Sequence, residues 1–219
     1  MKNLRCKKIE IEVKRKSGGF LKHLLLSARH IYSDGNKSNY YNYELVERRG
    51  VDSVAVVLFY YKDGELLLGF TKQARLAKVV RDFNERKTIK PFNNLLLLEA
   101  VAGSLEIGEK TTLKIRKRVK KEIYEETGLD VKLKDIFSLG KPFFTSPGQS
   151  TEKIYPFGAK VEMEKKKVAV GDGSLLEKDS NKVVFYSLSK VLEMLFSHKI
   201  EDAKTEITIL RLFFKLKVL

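Results

Sequence analysis

The chain has 219 residues, 43% of them hydrophobic and 10% aromatic, with one cysteine, three histidines and a formal net charge of +15. This composition supplies one sizeable core and argues against general disorder. Cys6 stands alone and His23, His30 and His198 are scattered, which excludes a disulfide framework and a thiolate metal cluster.

The N-terminus, MKNLRCKKIEIEVK, alternates charged and apolar residues and lacks the apolar core of a signal peptide. The longest apolar run, Val54–Tyr61, is far short of the roughly 18–20 residues that cross a bilayer. We therefore expect a cytoplasmic chain without a membrane partner. Residues 4–14, 21–33 and 40–48 read as strands, the last two separated by the turn-rich SDGNKSN. They predict a small antiparallel sheet over residues 1–50.

Val51–Tyr61 is β-branched and aromatic, and predicts a buried strand. Lys62-Asp63-Gly64 is a hairpin turn and Glu65–Lys72 the returning strand. Residues 77–94 are polar and read as an inserted loop, with or without a helical turn; Leu95–Val101 is the next strand. The most helix-like segment follows. Thr111 or Thr112 caps it, Ile115, Val119 and Ile123 share one face, and Gly128 closes it. Strands are expected at 130–139, 153–163 and 182–187, an acidic, glycine-rich loop at 171–181, and helices near 187–197 and 202–216. Strands before and after one clear helix predict an α+β chain or a layered α/β sandwich.

That helix carries KKEIYEETG. Glu122 and Glu126 are four residues apart on one face, and Glu125 flanks them. Three carboxylates this close repel one another, whereas a hard divalent cation would turn the repulsion into attraction. The bland alternative is a solvated acidic face paired with Arg118, Lys120 and Lys121.

The context favours the first reading. Gly103, then Glu109 after five residues, then Lys121-Glu122-Ile123-Tyr124-Glu125-Glu126-Thr127-Gly128-Leu129, resembles the Nudix box, G-x5-E-x7-R-E-U-x-E-E-x-G-U with U apolar. Two positions depart from it. Eleven residues, not seven, separate Glu109 from the arginine position. The four extra make about one helical turn, so the face shifts by about 40°, which the start of the helix can absorb. The arginine, which braces the glutamates in the family, is here Lys121; lysine keeps the charge but lacks the bidentate fork.

Four further segments resemble one branch of that family, the ADP-ribose and nucleoside-diphosphate-sugar pyrophosphatases. Lys72-Gln73-Ala74-Arg75 resembles its R-Q-x-R, and Glu99-Ala100-Val101-Ala102-Gly103 its E-L-P-A-G, with valine in place of proline. Phe144-Thr145-Ser146-Pro147-Gly148, followed by Glu152, resembles its S-P-G loop with a glutamate used in catalysis. Asp202-Ala203-Lys204-Thr205 resembles its D-A-K-T. The resemblance spans about residues 44–212.

The resemblance implies a Nudix α/β/α sandwich with a mixed sheet over residues 51–219, and an antiparallel strand subdomain over 1–50 that forms a homodimer. It implies Mg²⁺, or alternatively Mn²⁺, held by Glu122, Glu125, Glu126 and the carbonyl of Ala102. Glu152 is the implied general base and Glu125 the other implied catalytic residue, acting on the metal directly or through water; Arg75, Lys72 and Glu99 are the implied substrate-binding residues. The implied reaction hydrolyses a nucleoside diphosphate sugar, ADP-ribose-like or a UDP- or GDP-sugar, to a nucleoside monophosphate and a sugar phosphate. The alternatives are an RNA 5′-end, cap or dinucleotide pyrophosphohydrolase, and a non-catalytic Nudix ligand-binding domain. The +15 charge keeps a nucleic-acid partner open, but the lysines are dispersed, in short runs such as RKRVKK without interleaved aromatics, which favours a lysine-rich composition with no polyanion partner.

Overall fold

The computed structural model describes residues 6–48, 50–86, 96–163 and 183–218. The chain forms two compact units, Met1–Asp52 with Phe144–Lys153, and Ser53–Phe143 with Ile154–Leu219.

In the first unit, β1 (Cys6–Ser17), β2 (Leu21–Tyr32) and β3 (Tyr41–Arg48) form an antiparallel sheet in that order, where the sequence placed three strands. Residues opposite each other on neighbouring strands share a face. Ile11 faces Ala28 and Val13 faces Leu26, while Leu26 and Ala28 face Tyr43 and Tyr41 of β3. One face of this sheet is therefore apolar, and Ile9, Ile11, Val13, Tyr41 and Tyr43 on it are exposed. The opposite face carries charge, including the Glu10–Arg29 ion pair. The returning segment is tied to β3: Val46 N–H donates to the Gln149 carbonyl at 2.7 Å, and the Tyr43 hydroxyl donates to the Gly148 carbonyl at 3.1 Å.

The remaining elements are β4 (Ser53–Lys62), β5 (Glu65–Ala74), α1 (Leu76–Arg86), β6 (Leu96–Glu99), β7 (Val101–Ser104), α2 (Thr112–Thr127), β8 (Ile136–Ser138), β9 (Phe143–Phe144), β10 (Lys153–Lys160), β11 (Val184–Ser187), α3 (Leu188–Phe196) and α4 (Ala203–Leu216). β4 is central in the second unit. It runs antiparallel to β5 and β7, and parallel to β10, within the order β11-β5-β4-β10-β8. The β4–β5 turn places Asp63 at φ 50° and Gly64 at φ 82°, the left-handed pair that a two-residue hairpin requires.

Alternation along β4 builds the layers. Val54, Val56 and Leu58 pack with Ile115, Val119 and Ile123 of α2. Ala55, Val57 and Phe59 pack with Val191 and Met194 of α3 and with Ile209, Leu212 and Phe213 of α4. The sheet thus lies between α2 and the α3–α4 pair, an α/β/α sandwich with a mixed sheet. Each fully buried aliphatic side chain contributes at most about 1.5–3 kcal/mol.

Some expectations are corrected. Residues 76–86 form an eleven-residue helix, not a polar loop, because Leu76, Val80 and Phe83 recur at helical spacing among the charges. The expected strand Leu95–Val101 is interrupted at Ala100, where the chain passes from pairing with β5 to pairing with β4. The expected strand 130–139 reduces to a 3₁₀ turn, Leu133–Asp135, and β8. Residues 87–94 and the loop at 171–181 lie outside the described residues. Among the described residues no helix is long and apolar enough to cross a membrane.

Candidate active site

The end of β7 and the inner face of α2 form the site. The Thr111 hydroxyl accepts the Lys114 N–H and starts α2; Gly128, left-handed at φ 73°, stops it by donating its N–H to the Tyr124 carbonyl. Ile115, Val119 and Ile123 bury one stripe of the helix against the sheet. Their burial fixes the rotation of α2 and draws Glu122 and Glu126 toward β7.

Glu122 lies over Gly103. A Cβ on that glycine would collide with the Glu122 carboxylate, so this position of β7 is occupied by a residue with no side chain. Burial pushes the Glu122 carboxyl up to about 7; Arg118 opposes the shift and neighbouring Glu125 adds to it. Glu126 is buried and accepts from the Gln73 side-chain amide at 3.2 Å and from the Ala102 N–H at 3.4 Å. An antiparallel strand points the N–H and C=O of one residue to the same side, so the Ala102 carbonyl also faces away from β4. Glu125 is more open and lies 3.4 Å from Lys121.

Arg118 is the buried cation of the site. Its Nε and Nη2 donate to the two carboxylate oxygens of Glu109 at 2.9 and 3.1 Å. It also reaches Glu106 at 2.8 Å and Glu122 at 3.5 Å. Burial works to raise the Glu109 carboxyl, but Arg118 and the Glu106 N–H hold it below the ordinary carboxylate range.

A second cluster joins the other motifs. Glu99, at the end of β6, is fully buried and accepts two bonds from Arg75, at 2.7 and 2.6 Å, and one from Lys204 at 2.6 Å. Lys204 also pairs with Asp202 at 2.9 Å, and Asp202 caps α4 by accepting the Thr205 N–H. The Ala100 N–H donates to the Thr205 hydroxyl at 2.7 Å. Burial would raise the Glu99 carboxyl, yet the Arg75 bonds and the Lys204 charge bring it below its usual value.

The structure therefore brings Glu122 to Gly103 and Glu126 to Ala102 of β7, leaves Glu125 paired with Lys121, and joins Glu99 to Arg75. Lys72 alternates to the opposite side of β5 from Gln73, so it is not directed at the α2 carboxylates. Glu152 lies in the first unit, where Arg48 donates to it from Nη2 at 2.8 Å and from Nε at 3.2 Å. Sequence reasoning did not single out Gln73 or Lys204, which stood inside motifs already read, and named Arg118, one turn before Glu122, only as one of three cations that could pair a solvated acidic face.

A mixed sheet between helices, with a carboxylate-bearing helix behind a glycine-bearing strand, is the Nudix hydrolase fold. A solved structure of an ADP compounds hydrolase shares it, with a TM-score of 0.62 over 99% of this chain and 97% of that one, at 16% identity. Looser likenesses are a NUDIX hydrolase from Nitrosomonas europaea (TM-score 0.45, 17% identity, 77% and 94% covered) and the NUDIX domain of Shewanella oneidensis NrtR complexed with ADP ribose (0.42, 15%, 65% and 76%). No protein-family model matches the chain, and no curated protein matches it.

Proposed function

We propose that this chain is a metal-dependent pyrophosphohydrolase acting on a nucleoside diphosphate sugar, ADP-ribose-like or a UDP- or GDP-sugar. Water adds to one phosphorus of the diphosphate, the bridging P–O bond breaks, and the products are a nucleoside monophosphate and a sugar phosphate. The observation that carries the reading is the approach of two α2 carboxylates to neighbouring residues of β7, Glu122 to Gly103 and Glu126 to Ala102, with Glu125 beside them on the helix.

The donor set suits a hard divalent cation, Mg²⁺ by preference and Mn²⁺ as the alternative: three carboxylates and the Ala102 carbonyl, all oxygen. The burial that pushes the Glu122 carboxyl up to about 7 points the same way, since a cation relieves it. Among the described residues no three or more His, Cys, Asp or Glu side chains are already gathered to hold a metal ion, so the chemistry of the donors fits while the cage is not preformed. When bound, the cation neutralises diphosphate charge and orients the attacking water.

The other roles belong to the chain. Arg75, held in place by Glu99, presents its exposed edge to a substrate phosphate or carboxylate. Lys72 is a further candidate for substrate contact. Glu152 is the candidate general base that takes the proton of the attacking water, a role that rests on the resemblance of its loop. The exposed apolar face of β1–β3 supports a homodimer formed through the first unit. The name of the ADP compounds hydrolase is in keeping with the substrate class.

The test is phosphate release, with added phosphatase, from a panel of nucleoside diphosphate sugars in Mg²⁺ or Mn²⁺, comparing the natural chain with Glu126→Gln. Turnover of one or two members that the variant abolishes supports the reading. No turnover of any member sinks it.

A further inference from the structure

The box pattern puts an arginine directly before its first helix glutamate. This chain has Lys121 there, and the structure leaves that side chain 55% exposed, paired with Glu125. Arg118, one turn earlier, is only 9% exposed and reaches Glu106, Glu109 and Glu122. The spacing agrees. Eight residues separate Glu109 from Arg118, close to the seven of the pattern, whereas eleven separate Glu109 from Lys121. Three of the four extra residues therefore fall between the arginine and the glutamate. That insertion is tolerated because residues four apart share a helix face while consecutive residues do not.

We infer that Arg118 is the positioning residue of the carboxylate cluster, replacing the arginine the pattern puts beside Glu122, and that Lys121 is a dispensable surface cation. The inference rests on the functional reading given above. Its physical basis is the shape of the guanidinium. Two nitrogens are spent on Glu109, and Nη1 is left to face Glu122 at 3.5 Å. The planar fork makes both contacts at once; an ammonium at the same place is a point charge and makes one. Glu122 is thus held between the Gly103 backbone on one side and a cation anchored by Glu109 on the other.

The test uses the full chain and Mn²⁺ alone, with bound and free ion read by electron paramagnetic resonance. Arg118→Lys keeps the charge and Glu109→Gln removes the anchor. Each is expected to weaken Mn²⁺ binding about 10–100-fold, the usual effect of losing a partner of a metal-binding residue. Lys121→Ala is expected to stay within about twofold, as for an exposed pair. Hydrolysis should follow as a raised Mn²⁺ requirement in the first two variants. A folded Arg118→Lys that binds Mn²⁺ like the natural chain, or a loss confined to Lys121→Ala, overturns the inference alone. If Arg118→Lys does not fold, Glu109→Gln gives the same readout, and unchanged binding there overturns it equally. A natural chain that binds no Mn²⁺ overturns the functional reading and this inference with it.

Discussion

The Glu122 carboxylate fills the space that a side chain on Gly103 would need. Gly103→Ala is therefore expected to push the Glu122 carboxylate, the flexible end of its side chain, out of place at little cost in stability. Hydrolysis should nevertheless fall, about 10-fold or more. Paired denaturant melts and turnover assays check this; a variant as active as the natural chain would show that the glycine is incidental.

Metal and pH should be linked through the same side chain. Glu122 sits near 7 in the folded chain against an ordinary 4.5, so between those values the folded state keeps a proton that the unfolded state has lost. Without metal, stability from this group is full below about pH 4.5 and declines as pH rises toward 7. A cation needs the deprotonated carboxylate, so the rise in melting temperature on adding Mg²⁺ should be larger at pH 8 than at pH 5.5. Glu122→Gln should remove most of that difference. An equal Mg²⁺ effect at both pH values in the natural chain contradicts the linkage.

The Glu99 cluster is expected to be structural as well as functional. Lys204→Ala strips one of two cations from a buried carboxylate that keeps both bonds from Arg75, so the cost should be that of one charge-assisted bond, about 1.5–3 kcal/mol. Glu99 is held below its ordinary value, so its contribution is present above about 4.5 and is lost as pH falls through its folded value. Urea melts from pH 7 down to pH 3 should show a shallower acid loss in Glu99→Gln than in the natural chain. Identical slopes would mean that another carboxylate governs the acid limb.

Glu152→Gln separates catalysis from folding. If Glu152 is the base, kcat should fall about 10²–10⁴-fold with KM little changed. The loss of its charge also leaves Arg48 with a weaker partner, which a thermal melt will register. A variant with a lower melting temperature and unaltered kcat would assign Glu152 to stability only.

Much of the sandwich was legible because local signals and packing agreed. The β-branched run at β4, the Asp63-Gly64 turn and the Thr111 and Gly128 caps each specify their element without distant help. α1 was missed because its charged residues hid an apolar stripe only three residues long, and that stripe is exposed rather than buried. At the site, the α2 carboxylates were readable from helical spacing alone. Arg118 was readable only as one of three cations able to pair that face; the box spacing pointed to Lys121, while packing selected the residue one turn back. The Glu99–Lys204 pair joins positions 105 apart and has no local signature.

The parallel pairing of β4 with β10 has a cost during synthesis. Ser53 must wait for Ile154 before the middle of the sheet is complete. Until then a nascent chain holds Val54–Phe59, all buried in the finished fold, with one long edge uncovered. Such late closure slows folding and exposes a sticky strand. Ribosome-bound fragments ending before β10 should therefore engage chaperones or aggregate, and release should come only after that strand has emerged.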